Sequence, residues 1–239
     1  MPFGISAAPS FSKKMFKILQ DLQGVECVMD DILVYSKNTR EHDERLQQVM
    51  KRIGDAGMTL NKKKCQYRVE ELIFLGHKIS AEGTSANSEK VRAIKKMKKP
   101  SNRTELKSFL GMVNYLHEYS SRLAEIEKPL RQLNKKSNDW IWEKPQRESF
   151  ELLKEEMANA PMLAKNNVRS RHRVTADSSS YALGAALLQI NSEGKWQPVA
   201  FVSRKLRDTE RRYAQLEKEA LVITWAFKKF DFFASWNSI

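Results

Sequence analysis

Cysteine is scarce in this chain of 239 residues: Cys27 and Cys65 are the whole supply, without a Cys-x-x-Cys spacing, and none of the four histidines pairs with another at ligand spacing. That excludes a zinc module or a disulfide framework and points to a reducing compartment. Long apolar runs are missing too. No stretch approaches the roughly 18 consecutive apolar residues of a membrane span, and the first residues lack a signal-peptide layout. The chain is therefore expected inside the cell, in cytoplasm or nucleus, with no membrane partner. Acidic residues are in deficit: 29 Asp and Glu stand against 42 Lys and Arg, a net charge of +13 with an isoelectric point near 9.7. A surplus of that size favours a polyanionic partner over an acidic small molecule.

What is present, 41% hydrophobic and 30% charged, is the composition of an ordinary globular protein long enough for one or two domains. The positive charge is uneven. From Thr84 to Lys136 there are 13 Lys or Arg and 5 Asp or Glu, so eight of the thirteen net charges fall in that stretch. Lys95, Lys96, Lys98 and Lys99, followed by Arg103, are its densest part. They read either as a solvated helix end or as a surface that contacts phosphates.

Hydrophobic periodicity divides the chain further. Phe11, Met15, Ile18 and Leu19 predict a helix from Pro9 to about Leu19, and Leu46, Val49, Met50 and Ile53 predict another that starts at Thr39 as N-cap and ends before Gly57. Short strands are expected around Leu72–Leu75 and Lys78–Ser80. Asn102 with Glu105 makes a capping box for a helix whose face is Leu106, Phe109, Leu110, Val113 and Leu116. A second helix is expected from about Arg122 through Leu133. Trp140 and Trp142 follow a polar linker and read as anchors for an extended segment. After a helix from Pro145 to Ala158 come strands at Arg171–Asp177, Tyr181–Ile190 and Pro198–Ser203, the middle one apolar on both faces and hence central. A final helix is expected from about Asp208, with Leu216, Ala220, Ile223, Phe227 and Phe230 on one stripe.

The run Val28-Met29-Asp30-Asp31-Ile32-Leu33-Val34-Tyr35 sets two adjacent carboxylates between short apolar, β-prone segments: a strand, a tight acidic turn and a returning strand. Aspartate is a preferred turn residue, and a solvated turn accounts for the pair. Alternatively, like charges held side by side serve to bind a divalent cation, as in enzymes that displace phosphoryl groups between two metals.

Around this hairpin stand Met1-Pro2-Phe3-Gly4-Ile5-Ser6-Ala7-Ala8-Pro9, Asn61-Lys62-Lys63-Lys64-Cys65, Phe74-Leu75-Gly76-His77-Lys78-Ile79-Ser80 and Ser108-Phe109-Leu110-Gly111-Met112-Val113-Asn114-Tyr115. In this order they resemble the second half of the reverse transcriptase of gypsy-type LTR retrotransposons. Thr175-Ala176-Asp177-Ser178-Ser179-Ser180-Tyr181 and Tyr213-Ala214-Gln215-Leu216-Glu217-Lys218-Glu219-Ala220-Leu221 resemble the first part of the ribonuclease H domain that follows it. The fold this implies is α+β: a partial polymerase palm with the acidic hairpin over residues 1–83, a helical thumb over 84–136, a connecting segment over 137–165, and the N-terminal half of a ribonuclease H-like mixed sheet over 166–239.

The resemblance implies an RNA-directed DNA polymerase with associated ribonuclease H. Its metal would be magnesium or manganese, and its partners an RNA template, a DNA primer, the RNA–DNA hybrid and deoxynucleotides. It assigns Asp30 and Asp31 to the polymerase metal pair and Asp177 and Glu219 to the nuclease metal site. Pro2, Phe3, Gly4, Val28 and Met29 would line the nucleotide pocket, and Phe74, Leu75, Gly76 and His77 would grip the primer. Lys95, Lys96, Lys98, Lys99 and Arg103 would contact nucleic acid. Val28 stands where the family most often has Tyr, and Ala7 where it usually has Asn. The family's third polymerase aspartate precedes the Pro-Phe-Gly segment, and its remaining nuclease ligands follow the position of Ile239. The chain is thus expected to be a piece completed by further polyprotein or a second subunit, with its ribonuclease H-like end the less stable half. The rival reading is a catalytically inactive nucleic-acid-binding remnant of a retroelement. A metal nuclease built on the Asp-Asp hairpin alone explains none of the later segments.

Overall fold

The computed structural model describes residues 8–234, which divide into two compact units, one up to Phe74 and one from Leu75 onward. In the first unit, helix α1 (Ala8–Leu19) leads into strands β1 (Val25–Val28) and β2 (Asp31–Val34), then helix α2 (Thr39–Asp55) and strand β3 (Glu71–Phe74). β1 and β2 are antiparallel, with Val25 opposite Val34 and Cys27 opposite Ile32. Those four residues share the inner face and pack on Met15 and Leu19 of α1 and Val49 and Ile53 of α2. The helix expected beneath the acidic hairpin is there. α2 starts one residue earlier than expected, because the cap is Asn38, whose Oδ1 accepts from the Glu41 N–H at 2.9 Å. Its apolar stripe is also narrower, with Met50 exposed.

The second unit opens with β4 (His77–Ser80) and β5 (Gly83–Ala86), antiparallel, with β6 (Leu163–Ala164) added along β5. Helices α3 (Ser88–Lys96), α4 (Arg103–Tyr115), α5 (Leu123–Ile126), α6 (Lys128–Leu133) and α7 (Lys144–Ala158) form a bundle. The full predicted face of α4, from Leu106 to Leu116, is buried in it, and Asn102 caps that helix as the sequence indicated. The helix expected from Arg122 to Leu133 is two short ones, since Pro129 lies in the first turn of α6 and has no N–H to continue α5. Residues assigned to a connecting segment belong to the bundle core: Phe150, Leu153 and Met157 of α7 are buried, and Trp140 and Trp142 pack against them.

Strands β7 (His172–Ser178), β8 (Ala182–Ile190) and β9 (Trp196–Lys205) form an antiparallel sheet with β8 in the centre, as its two apolar faces require. One face carries Ala185, Leu187 and Val199 against helix α8 (Gln215–Ala234). The other meets the bundle, where Phe201 joins the core and a Cβ at Gly184 would collide with the Ser121 carbonyl oxygen. Glycine at 184 is what lets the backbones approach there. α8 begins seven residues after the expected start at Asp208, because Glu210–Arg212 forms a separate 3-10 turn. Its buried row is Val222, Ala226 and Phe230, while Leu216 (82%), Ile223 (49%) and Phe227 (60%) are exposed. The helix carries two apolar rows, and the sheet takes the one with Val222, Ala226 and Phe230.

Candidate functional site

At the tip of the β1–β2 hairpin, Val28 faces Asp31 across the ladder and Met29 and Asp30 make the turn. Met29 takes a left-handed φ of 57°, which costs a residue with a side chain about 1 kcal/mol and leaves it half exposed. Asp30 and Asp31 are both exposed. Strand alternation puts Asp31 on the face with Glu26, Val28 and Leu33, opposite the core face of Cys27 and Ile32. Burial pushes the Cys27 thiol above its usual pKa, and the negative fields of Asp30 and Asp31 add to the rise.

The second acidic pair is arranged otherwise. Asp177 is exposed and lies opposite Gly184 in register, so its side chain leaves the sheet on the face that meets Ser121. Glu219 of α8 is on the other face. There the Ser178 hydroxyl donates to Glu219 Oε1 at 2.6 Å, and the Gln215 amide donates to the same oxygen at 2.8 Å. Glu219 thus takes as its partner the serine that follows Asp177, one residue from the other member of the expected nuclease pair. Among the described residues, no group of three or more His, Cys, Asp or Glu is placed to hold a metal. Ser178 and Gln215 were not singled out by the sequence, which does not carry the strand phase that brings Ser178 to Glu219.

The basic residues separate in the same way. Lys95 and Lys96 end α3 and, with Lys98 and Lys99, are exposed. Lys99 also lies 5.5 Å from the Trp142 ring centroid. Arg103, grouped with them by sequence, is half-buried, and its Nη2 donates to the Asn138 carbonyl, tying the start of α4 to the loop after α6. Phe74 ends β3, and the next two residues are both left-handed, Leu75 at φ 48° and Gly76 at 75°. His77 starts β4, with Nδ1 2.9 Å from the Tyr119 hydroxyl.

A family model described as reverse transcriptase (RNA-dependent DNA polymerase) matches residues 1–79, and one described as RNase H-like domain found in reverse transcriptase matches 142–237. Over 231 residues, 95% of the chain, the sequence is 32% identical to the Transposon Tf2-3 and Tf2-4 polyproteins of Schizosaccharomyces pombe. The chain thus matches reverse transcriptase and its RNase H-like domain and is similar to gypsy-type retrotransposon polyproteins. It spans 17% of the length of those relatives. The α+β fold of this chain agrees with solved structures. The foamy viral protease-reverse transcriptase in complex with RNA/DNA hybrid matches at a TM-score of 0.81 and 25% identity, covering 98% of this chain and 32% of that one. The same viral protein in complex with dsDNA also gives 0.81, covering 98% and 49%. Of the positions that the resemblance assigns to a nucleotide pocket, Val28 ends β1 and Met29 stands in the acidic turn, whereas Pro2, Phe3 and Gly4 lie outside the described residues. The RNase H-like match begins at Trp142, so it takes in α7 of the bundle as well as the three-stranded sheet.

Proposed function

We propose that this segment serves an RNA-directed DNA polymerase by holding primer and template and presenting Asp30 and Asp31 to a divalent cation, with an RNA–DNA hybrid as the nucleic acid bound. The observation that carries this is the acidic hairpin: two exposed carboxylates on a strand pair whose other face is fixed by α1 and α2. Bound magnesium or manganese would neutralise charge on a deoxynucleotide's phosphates and on the group being transferred. The protein's part is to hold Asp31 at the start of β2, keep Asp30 in the turn beside it, and border the pair with Val28 and Met29. Exposed Lys95, Lys96, Lys98 and Lys99 supply the electrostatic attraction for the phosphate backbone. The two cysteines are both free thiols, in keeping with a reducing site of action inside the cell.

The RNase H-like part is read differently. Glu219 is engaged by Ser178 and Gln215, which orient its carboxylate beside the end of β7 that carries Asp177, and no step is drawn through an ion there. Further polyprotein or a second subunit would complete the enzyme. The test for the hairpin is paramagnetic: Mn2+ added to the labelled chain should broaden amide signals around residues 27–33, and the Asp30→Asn, Asp31→Asn double variant should abolish this. Broadening that is absent, or that survives the double substitution, removes the metal assignment. In parallel, incubation of the chain with an RNA–DNA hybrid and magnesium should give no cleavage; cleavage abolished by Glu219→Gln would show that Glu219 serves hydrolysis in this chain by itself.

A further inference from the structure

The left-handed pair before β4 is fastened by side chains from three helical elements. A Cβ at position 76 would collide with both Lys90 Nζ of α3 and the Tyr115 hydroxyl at the end of α4, so these two groups lie directly against the Gly76 backbone. Lys90 Nζ is 3.4 Å from the centroid of the Tyr115 ring. The His77 imidazole stacks on that same ring, 5.2 Å between centroids and 11° from parallel. On its other side, His77 Nδ1 lies 2.9 Å from the Tyr119 hydroxyl and 3.1 Å from Glu118 Oε1, both in the 3-10 turn that follows α4. Burial holds the Tyr119 hydroxyl protonated far above the usual range, so it remains a donor. What these contacts hold in place is Leu75, strained in backbone and 44% exposed. A strained residue persists where its surroundings over-determine it, and such residues concentrate at binding sites.

We infer that Lys90, Tyr115 and Tyr119 are positioning residues that fix the Leu75–His77 turn so that it meets the backbone of a bound duplex in a single orientation. This rests on the nucleic-acid reading above. Lys90 acts through the ring of Tyr115 and the Gly76 backbone, not as a ligand to phosphate. That distinction has a readout, because a lost phosphate contact flattens the log–log salt dependence of duplex affinity by about 0.9, whereas a lost positioning contact lowers affinity at every salt concentration alike.

The experiment combines amide hydrogen exchange at Gly76 and His77 with anisotropy titrations of a duplex bearing a recessed 3′ end. Tyr115→Leu should speed exchange at both amides about tenfold and weaken binding about tenfold with an unchanged salt slope. Tyr115→Phe, which keeps the ring, should stay within about twofold of wild type on both measures, as a stacking role requires. Lys90→Met and Tyr119→Phe each remove one contact without opening a cavity, and they carry the same expectation if Tyr115→Leu fails to fold. Unchanged exchange in Tyr115→Leu, Lys90→Met and Tyr119→Phe overturns the inference, as does a Lys90→Met slope flattened by about 0.9 with exchange unaltered. If the wild-type chain binds no duplex while exchange responds as expected, the fastening stands and the nucleic-acid reading falls.

Discussion

Residues that look alike in the sequence have different work in the structure, and burial tells them apart. Arg103 belongs to the basic run by position, yet it is spent on the Asn138 carbonyl. Arg103→Ala should therefore destabilise the chain by about 1 kcal/mol while leaving the salt slope of nucleic-acid binding unchanged. Replacing Lys95, Lys96, Lys98 and Lys99 by Ala should do the reverse, flattening the slope by about 0.9 for each lysine that contacts phosphate. Chemical denaturation and anisotropy titrations on the two variants check both halves. Glu210 shows what pairing does to acid stability. It is buried, takes both Arg204 nitrogens at 2.6 and 3.0 Å, and accepts from the Arg207 N–H at 2.7 Å. Arg204 above all, then the Arg207 N–H, hold its carboxyl below the usual range. Folded pKa below unfolded pKa means stabilisation that is present above the ordinary carboxylate range and lost as pH falls through the depressed value. Urea unfolding between pH 6 and pH 3 should show a shallower acid loss in Glu210→Gln than in wild type.

Among the elements, those with one dominant apolar row were legible. α1, α4 and α7 fall within one residue of the expected ends, and β8 is central because it is apolar on both faces. α8 was misread because periodicity alone does not rank two apolar rows; the sheet decides. The row it chose makes a prediction: Phe230→Ala should cost about 3–5 kcal/mol, whereas Ile223→Lys on the exposed row should stay within about 0.5 kcal/mol of wild type by chemical denaturation. Short elements escaped notice for a related reason. β5 and β6 have four and two residues, too few for a pattern, and form only because they find partners. The acidic pair was legible since its chemistry is local. Glu219's partner was not, because strand phase, which sequence motifs do not carry, sets which face Asp177 occupies. At the cap of α2, Asn38→Ala should cost about 1 kcal/mol, measured by the same unfolding method.

For the molecule as a whole, the division into two units bears on which part of the chain unfolds first. The RNase H-like sheet was expected to be the weaker half, yet it shares a compact unit with the bundle, whose core runs from Ile94 to Leu163. The first unit, by contrast, is centred among the described residues on Met15, Leu19, Val49 and Ile53. Burial scales with core size, so urea should unfold the first unit before the second, and a single two-state transition seen by every probe would refute this. The chain carries its own means of telling the stages apart. All five tryptophans, at positions 140, 142, 196, 225 and 236, come after Phe74. Trp142 is half-buried, edge-on to Phe150, with its ring nitrogen buried in the bundle. Indole emission is therefore blind to the acidic hairpin: the spectrum should stay blue while helicity is already falling, and the interval between the two curves isolates the half of the chain that carries Asp30 and Asp31.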